Sequence, residues 1–114
     1  MSDCVFCGIV AGELPADIVA RSPRTLAFRD LDPKAPTHVL VVPTEHVADA
    51  AALGPEHAEV LAEMAVTARR VAEADGVADG GYRLVCNVGD DAGNTVAHLH
   101  LHVLGGRRLA WPPG

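Results

Sequence analysis

The sequence predicts an α+β domain of one long helix and five strands, and three stretches carry that prediction. His98-Leu99-His100-Leu101-His102-Val103-Leu104 alternates imidazole with aliphatic side chains. Strand side chains point to opposite faces with period two, so one face can pack on a core while the imidazoles line a site. Thr37-His38-Val39-Leu40-Val41-Val42 is an almost unbroken β-branched and aliphatic run closed by Pro43, the pattern of a buried central strand. Between them Leu61, Met64/Ala65, Ala68 and Val71/Ala72 recur at helical spacing, which makes an apolar stripe for core packing.

The remaining elements follow in order. Phe6, Ile9 and Val10 recur at helical spacing, and Gly12 can end a short helix there. Residues 17–21 and 25–30 are two short extended runs separated by the turn signal Ser22-Pro23. Asp30-Leu31-Asp32-Pro33 breaks the second run, and spacing alone favours a solvated loop. His38 is the polar exception on the central strand, either hydrogen-bonded structure or part of a site. Ala48 to Leu53 forms a helical turn. Gly54-Pro55-Glu56 starts the long helix, with proline in the first turn and an acid near the N-terminus. The helix spans residues 55–74 and ends before Gly76. Glu59, Glu63, Arg69, Arg70 and Glu73 occupy its other faces, and His57 near its start reads as a solvated residue. Gly80-Gly81 turns into a strand over residues 82–88. Tyr82, Leu84 and Cys86 share one face of it, and Arg83, Val85 and Asn87 the other. Cys86 is most simply a small core residue. A glycine-bearing polar loop, residues 89–95, then enters the histidine strand. Its backbone N–H groups and hydroxyls suit a phosphate. Pro112 and Pro113 exclude a regular helix or central strand from the tail, and Trp111 on such a tail usually docks on something. There are no internal repeats and no second domain.

Composition narrows the function. A chain of 114 residues with 49% hydrophobic residues supports one modest core. A net charge of −6 argues against broad nucleic-acid or membrane binding. An anionic substrate would need local attraction. No apolar run approaches a membrane span. Met1-Ser2-Asp3-Cys4 is neither a basic leader nor a hydrophobic one, so a cytoplasmic location is expected. Three cysteines make a disulfide framework improbable.

Two clusters carry chemistry. Histidine serves as base, acid, nucleophile or metal ligand. Three on one strand face fit either a reactive site or a zinc site. Cys4-Val5-Phe6-Cys7 is a CxxC, which can be redox-active, metal-binding or incidental. Metal binding needs two more ligands, and His46, His57 and the three strand histidines are candidates.

The ensemble of motifs resembles the histidine triad (HIT) superfamily of nucleotide hydrolases and transferases. The resemblance rests on His98-x-His100-x-His102 with Val103-Leu104, on Cys4-Val5-Phe6-Cys7, Ala27-Phe28-Arg29-Asp30, Ala35-Pro36-Thr37-His38, Gly81-Tyr82-Arg83 and Asn87-Val88-Gly89, all in the family's order. Gly105-Gly106-Arg107 and Trp111-Pro112-Pro113-Gly114 look like the HINT branch, the purine nucleoside phosphoramidases. The match covers nearly the whole chain.

That resemblance implies a mostly antiparallel five-stranded sheet with the long helix on one face and the site on the other. It implies a single domain over residues 1–114 and a homodimer joining two sheets, with the 107–114 tail near the partner's site. His100 would attack the α-phosphorus of an adenosine or guanosine phosphoramidate. The amine would leave, and water would release the monophosphate. His38 and His102 would contact phosphate oxygens and assist proton transfer. Asn87, Gly93 and Thr95 would position phosphate and leaving group. Asp30 would accept from the ribose hydroxyls, and Phe6, Ile9, Phe28, Leu31 and Leu40 would form the base and ribose pocket. Relatives with a CxxC imply structural zinc on Cys4, Cys7, His46 and His98. Thr95 stands where many relatives carry serine, and Ala97 puts a small residue before the triad. The rival readings are a dinucleoside polyphosphate hydrolase or nucleotidylyl transferase of the same superfamily, and a zinc-stabilised nucleotide-binding scaffold.

Overall fold

The computed structural model describes residues 3–114. The chain forms helix α1 (Val5–Val10), strands β1 (Ile18–Arg21), β2 (Thr25–Arg29) and β3 (Thr37–Pro43), helix α2 (Ala58–Ala74), and strands β4 (Tyr82–Val85) and β5 (Leu101–Gly105). Short 3-10 turns occupy Ala50–Ala52, Pro55–His57 and Asp90–Ala92. The strands form one antiparallel sheet in the order β1-β2-β3-β5-β4. The α+β fold follows the sequence pattern.

Period two sorts the sheet into its faces. Ala27 of β2, Val39 and Val41 of β3 and Val103 of β5 pack with Met64, Ala68 and Val71 of α2. Leu26, Phe28, Leu40 and Val42 point the other way, against Phe6 and Ile9 of α1. All of β3 is buried, as its aliphatic run requires. Burying a side chain such as Val41 stabilises by roughly 1.5–3 kcal/mol. The register pairs Leu40 with His102, so His38 and His102 share the face opposite α2. The site lies there, and α1 forms its wall. The Cys4 sulfur caps α1 by accepting the Cys7 N–H at 3.3 Å. Gly12, at φ +78°, ends it in the left-handed region.

Polar locks fasten α2. Asp75, just past the helix, accepts both arms of Arg29 at 2.9 Å and the Thr37 hydroxyl at 2.9 Å. Those hydrogen bonds, Arg29 above all, hold its carboxyl below the usual carboxylate range. At the other end Glu63 accepts the Ser22 hydroxyl and the Arg24 N–H, each at 2.6 Å. Thr67 joins Thr25 at 2.7 Å.

The structure departs from the sequence expectations in particular places. The buried stripe of α2 is Met64, Thr67, Ala68, Val71 and Ala72. Leu61 is 47% exposed and Ala65 is exposed, because the residue one turn before Met64 is Val60, which is half-buried. His57 is not simply solvated, since its Nδ1 accepts the Gly54 N–H at 2.9 Å and closes the helix start. β4 stops at Val85, where its partner β5 is about to run out. Cys86 therefore lies beyond the pairing and is exposed rather than in the core.

The histidine strand is also shorter than its alternation suggests. β5 begins at Leu101, after His98 and His100. Continued in register, Leu99 would face Pro43, which has no N–H to give. Instead the Leu99 N–H donates to the Val47 carbonyl at 2.6 Å. The triad is thus split between a strand and the bend before it.

Candidate active site and metal centre

His100 and His102 line one end of a mostly apolar cavity of about 270 Å³, and His38 stands off its lining, joined to His102 through Nε2. The His38 and His102 rings lie 5.1 Å apart between centroids, as do those of His100 and His102. Phe6 meets His100 edge to face at 5.1 Å. His38 and His100 are buried, at 6% and 8% exposure.

Hydrogen-bond partners assign the ring tautomers. His100 Nδ1 lies 2.7 Å from the His98 carbonyl. A carbonyl only accepts, so Nδ1 carries the proton and Nε2 keeps its lone pair. A neutral imidazole with a bare Nε2 is a nucleophile. His38 Nδ1 accepts the Lys34 backbone N–H at 3.0 Å. Its proton therefore sits on Nε2, which donates to His102 Nδ1 at 2.8 Å. His102 in turn carries its proton on Nε2.

Burial lowers His38 below the ordinary histidine range. His102 is pushed down to about 4, by burial first and then by the His100 and His38 rings. Geometry acts in the same direction, since a second proton on His102 would have to enter at Nδ1, where His38 already donates. His102 is a neutral, fixed N–H donor at neutral pH.

Asp30, His38 and His102 gather three donor atoms within 4.8 Å, but the tautomer excludes a metal there. The His38 Nε2 lone pair is taken by its proton while the Lys34 N–H stays in place. Asp30 Oδ2 lies 3.4 Å from His38 Nε2, and its other oxygen accepts the Asp32 N–H at 2.8 Å.

The rest of the cavity is lined by Phe6, Ile9, Phe28, Leu40, Asp30 and Thr95, and by Leu31 at its mouth. Leu31 is fully exposed, so it is a rim residue rather than part of a closed apolar wall. Asn87 and Gly93 do not line the cavity. Gly93 instead takes the left-handed position that ends the Asp90–Ala92 turn. Val5, Pro15, Ala16, Arg29 and Val96 complete the lining. Only the apolar character of some of them signals a wall, and that does not separate wall from core. The Lys34 N–H left no mark in the sequence at all.

A second cluster stands behind the first. Cys4 Sγ is 3.2 Å from His98 Nδ1, and Cys7 Sγ is 3.3 Å from His46 Nδ1 and 3.4 Å from His98 Nδ1. All four donor atoms fall within 4.8 Å of one another. Tetrahedral zinc, with metal–sulfur near 2.3 Å and metal–nitrogen about 2.0 Å, puts neighbouring donors roughly 3.5 Å apart. His98 is fully buried, and its Nε2 donates to the Pro43 carbonyl at 3.0 Å. That bond leaves Nδ1 bare toward the sulfurs, the tautomer a ligand needs. The donor set and its spacing fit zinc. His57, the other candidate, is occupied at the helix start.

A five-stranded antiparallel sheet with three histidines at an apolar cleft defines the class. The HIT domain family model matches residues 11–109, and the chain belongs to that family. The crystal structure of a HIT family hydrolase from Legionella pneumophila superposes with a TM-score of 0.96 at 46% identity, covering 98% of this chain and 100% of that one. An uncharacterized HIT-like protein of Synechococcus elongatus is 46% identical over 112 residues, 98% of this chain and 97% of its own. The purine nucleoside phosphoramidase of Escherichia coli is 39% identical over 107 residues, 94% of this chain and 90% of its own. Among the described residues no helix is long and apolar enough to cross a membrane.

Proposed function

We propose that this chain is a purine nucleoside phosphoramidase, cleaving the P–N bond of an adenosine or guanosine phosphoramidate. The observation that carries the reading is the His98 carbonyl on His100 Nδ1, which leaves Nε2 bare at the cavity. The likeness to the Escherichia coli enzyme supports the substrate class.

In the first step His100 Nε2 bonds to the α-phosphorus. The P–N bond breaks, its electron pair stays on nitrogen, and the amine takes up a proton from solvent. In the second step water attacks phosphorus. The P–Nε2 bond breaks, its pair returns to His100, and a proton leaves with the solvent. Two displacements replace one difficult one. His102 holds its Nε2–H on a phosphate oxygen, with His38 behind it fixing the ring. Asn87 and Gly93 lie off the cavity lining and take no part in this reading, whereas Thr95 adds a hydroxyl donor. Such fixed donors stabilise charge that develops on phosphorus. Asp30 binds the ribose hydroxyls, and Phe6, Ile9, Phe28, Leu31 and Leu40 hold the base. Cys4, Cys7, His46 and His98 hold zinc, which ties α1 to the segment before β5 and supplies no reaction step.

The working molecule in this reading is a cytoplasmic homodimer of single-domain chains. β4 is an edge strand. Leu84 on it, and Val88 and Trp111 beyond it, are 42%, 41% and 83% exposed, apolar area that a two-fold partner would cover. Mass spectrometry of a rapidly quenched reaction with an adenosine phosphoramidate tests the activity. A nucleotidyl group on His100 is expected. Turnover of diadenosine polyphosphates in preference to phosphoramidates would turn the assignment to the sister activity. Nucleotide binding without turnover of either would leave a scaffold.

A further inference from the structure

We propose that Arg107 is a positioning residue for the His38–His102 pair, acting from the end of β5 through the 32–36 loop. The inference rests on the phosphoramidase reading for its meaning, and its primary test is independent of activity. Arg107 lies outside the cavity and touches none of the reacting groups. Its Nη2 donates to the Lys34 carbonyl at 2.8 Å, and its Nη1 to the Arg108 carbonyl at 3.0 Å. One guanidinium thus clamps the loop to the strand end. Gly106 closes the same contact. It sits at φ +91°, and a Cβ there would meet Pro36 Cβ at 2.8 Å.

The clamped residue is also the one that sets the histidine protons, through the peptide on its other side. The carbonyl of Lys34 is held by Arg107, and the N–H of the same residue donates to His38 Nδ1. His38 Nε2–H then donates to His102 Nδ1, which leaves the His102 Nε2–H toward the phosphate. Remove the Lys34 N–H and only Asp30 Oδ2, 3.4 Å from His38 Nε2, still favours the Nε2 proton, so His38 can also carry it on Nδ1. Two bare lone pairs would then face each other at 2.8 Å. His102 relieves that by moving its own proton to Nδ1. Its Nε2 becomes a lone pair aimed at an anion. A shift of the loop therefore turns the phosphate donor into a repulsive acceptor, with no change in net charge.

Heteronuclear correlation spectra of the ring nitrogens read this chain directly. In the wild type, His38 and His102 show Nε2–H, and His100 shows Nδ1–H. In Arg107→Gln the His38 and His102 rings become tautomer mixtures. With an adenosine phosphoramidate, kcat falls about ten-fold while KM changes by less than about two-fold. Arg107→Lys keeps a donor and recovers most of the rate. In a His38→Ala background Arg107→Gln costs nothing further in kcat, as groups acting in series require. The proposal is overturned by an Nδ1–H His38 in the wild type, by unchanged ring shifts in Arg107→Gln, or by additive losses in the double variant. If Arg107→Gln does not fold, Arg107→Lys and the wild-type spectrum decide. A folded protein inactive on every phosphoramidate would remove the proposed activity and leave the ring spectra to judge the relay.

Discussion

Replacing Asp75 with alanine should lower stability by about 2–3 kcal/mol at neutral pH. The carboxylate accepts two bonds from Arg29 and one from Thr37, each at 2.9 Å. Charge-assisted bonds of this geometry contribute roughly 1.5–3 kcal/mol each when sheltered. Here the Arg29 side chain is 37% exposed and Asp75 19%, so solvent screening reduces the sum to the lower figure. The loss corresponds to a drop in Tm of roughly 10 °C for a chain of this size. The folded carboxyl is held below its unfolded value, so its stabilisation is complete above the unfolded pKa near 3.9. It fades as pH falls through the lower folded value. Urea unfolding followed by circular dichroism at pH 7 and near pH 2 checks both points. The variants should differ at neutral pH and converge in acid. A gap that stays constant across that range would refute the electrostatic reasoning. Thr37 precedes His38 on β3, so phosphoramidase activity should also fall in Asp75→Ala.

Other perturbations follow from the same geometry. His100→Ala should cut phosphoramidase turnover by roughly three orders of magnitude or more, since no neighbouring ring offers a bare Nε2 in its place. His102→Ala should cost less, and steady-state kinetics of the two variants will rank them. Cys7→Ser should release metal measured by atomic absorption and lower Tm, while retained metal at one ion per chain would remove the proposed centre. The apolar side chains of the cavity, Phe6, Ile9, Phe28, Leu31 and Leu40 with Val5, Pro15 and Ala16, include none with a group to read a purine edge. The kcat/KM values for adenosine and guanosine phosphoramidates should therefore agree within about ten-fold, a methylene-scale difference in an apolar pocket. Deleting residues 108–114 should alter the ranking among amine leaving groups more than it lowers Tm, and an unaltered ranking would detach the tail from the site.

Much of this was legible in the chain itself. The aliphatic run before Pro43 could only be a central strand, because a strand so apolar on both faces needs cover on both. The helical stripe and its glycine stop located α2, and the alternation of histidine and aliphatic residues near the C-terminus announced a site. Local patterns of that kind depend on neighbours in sequence, where period and propensity act. What the tertiary structure decided depends on groups far apart in the chain. The break before β5 arises because Pro43, more than fifty residues earlier, cannot donate to it. That break carries His98 back to Cys4 and Cys7 and turns its carbonyl onto His100, so one residue joins the sulfur cluster by its ring and fixes the His100 tautomer by its backbone. Leu61 reads as part of the packed stripe and is exposed, since hydrophobicity marks what can be buried and only packing determines what is. The proton on each active histidine is set by the Lys34 N–H and the His98 carbonyl, backbone groups that every residue carries and that no side-chain pattern can distinguish.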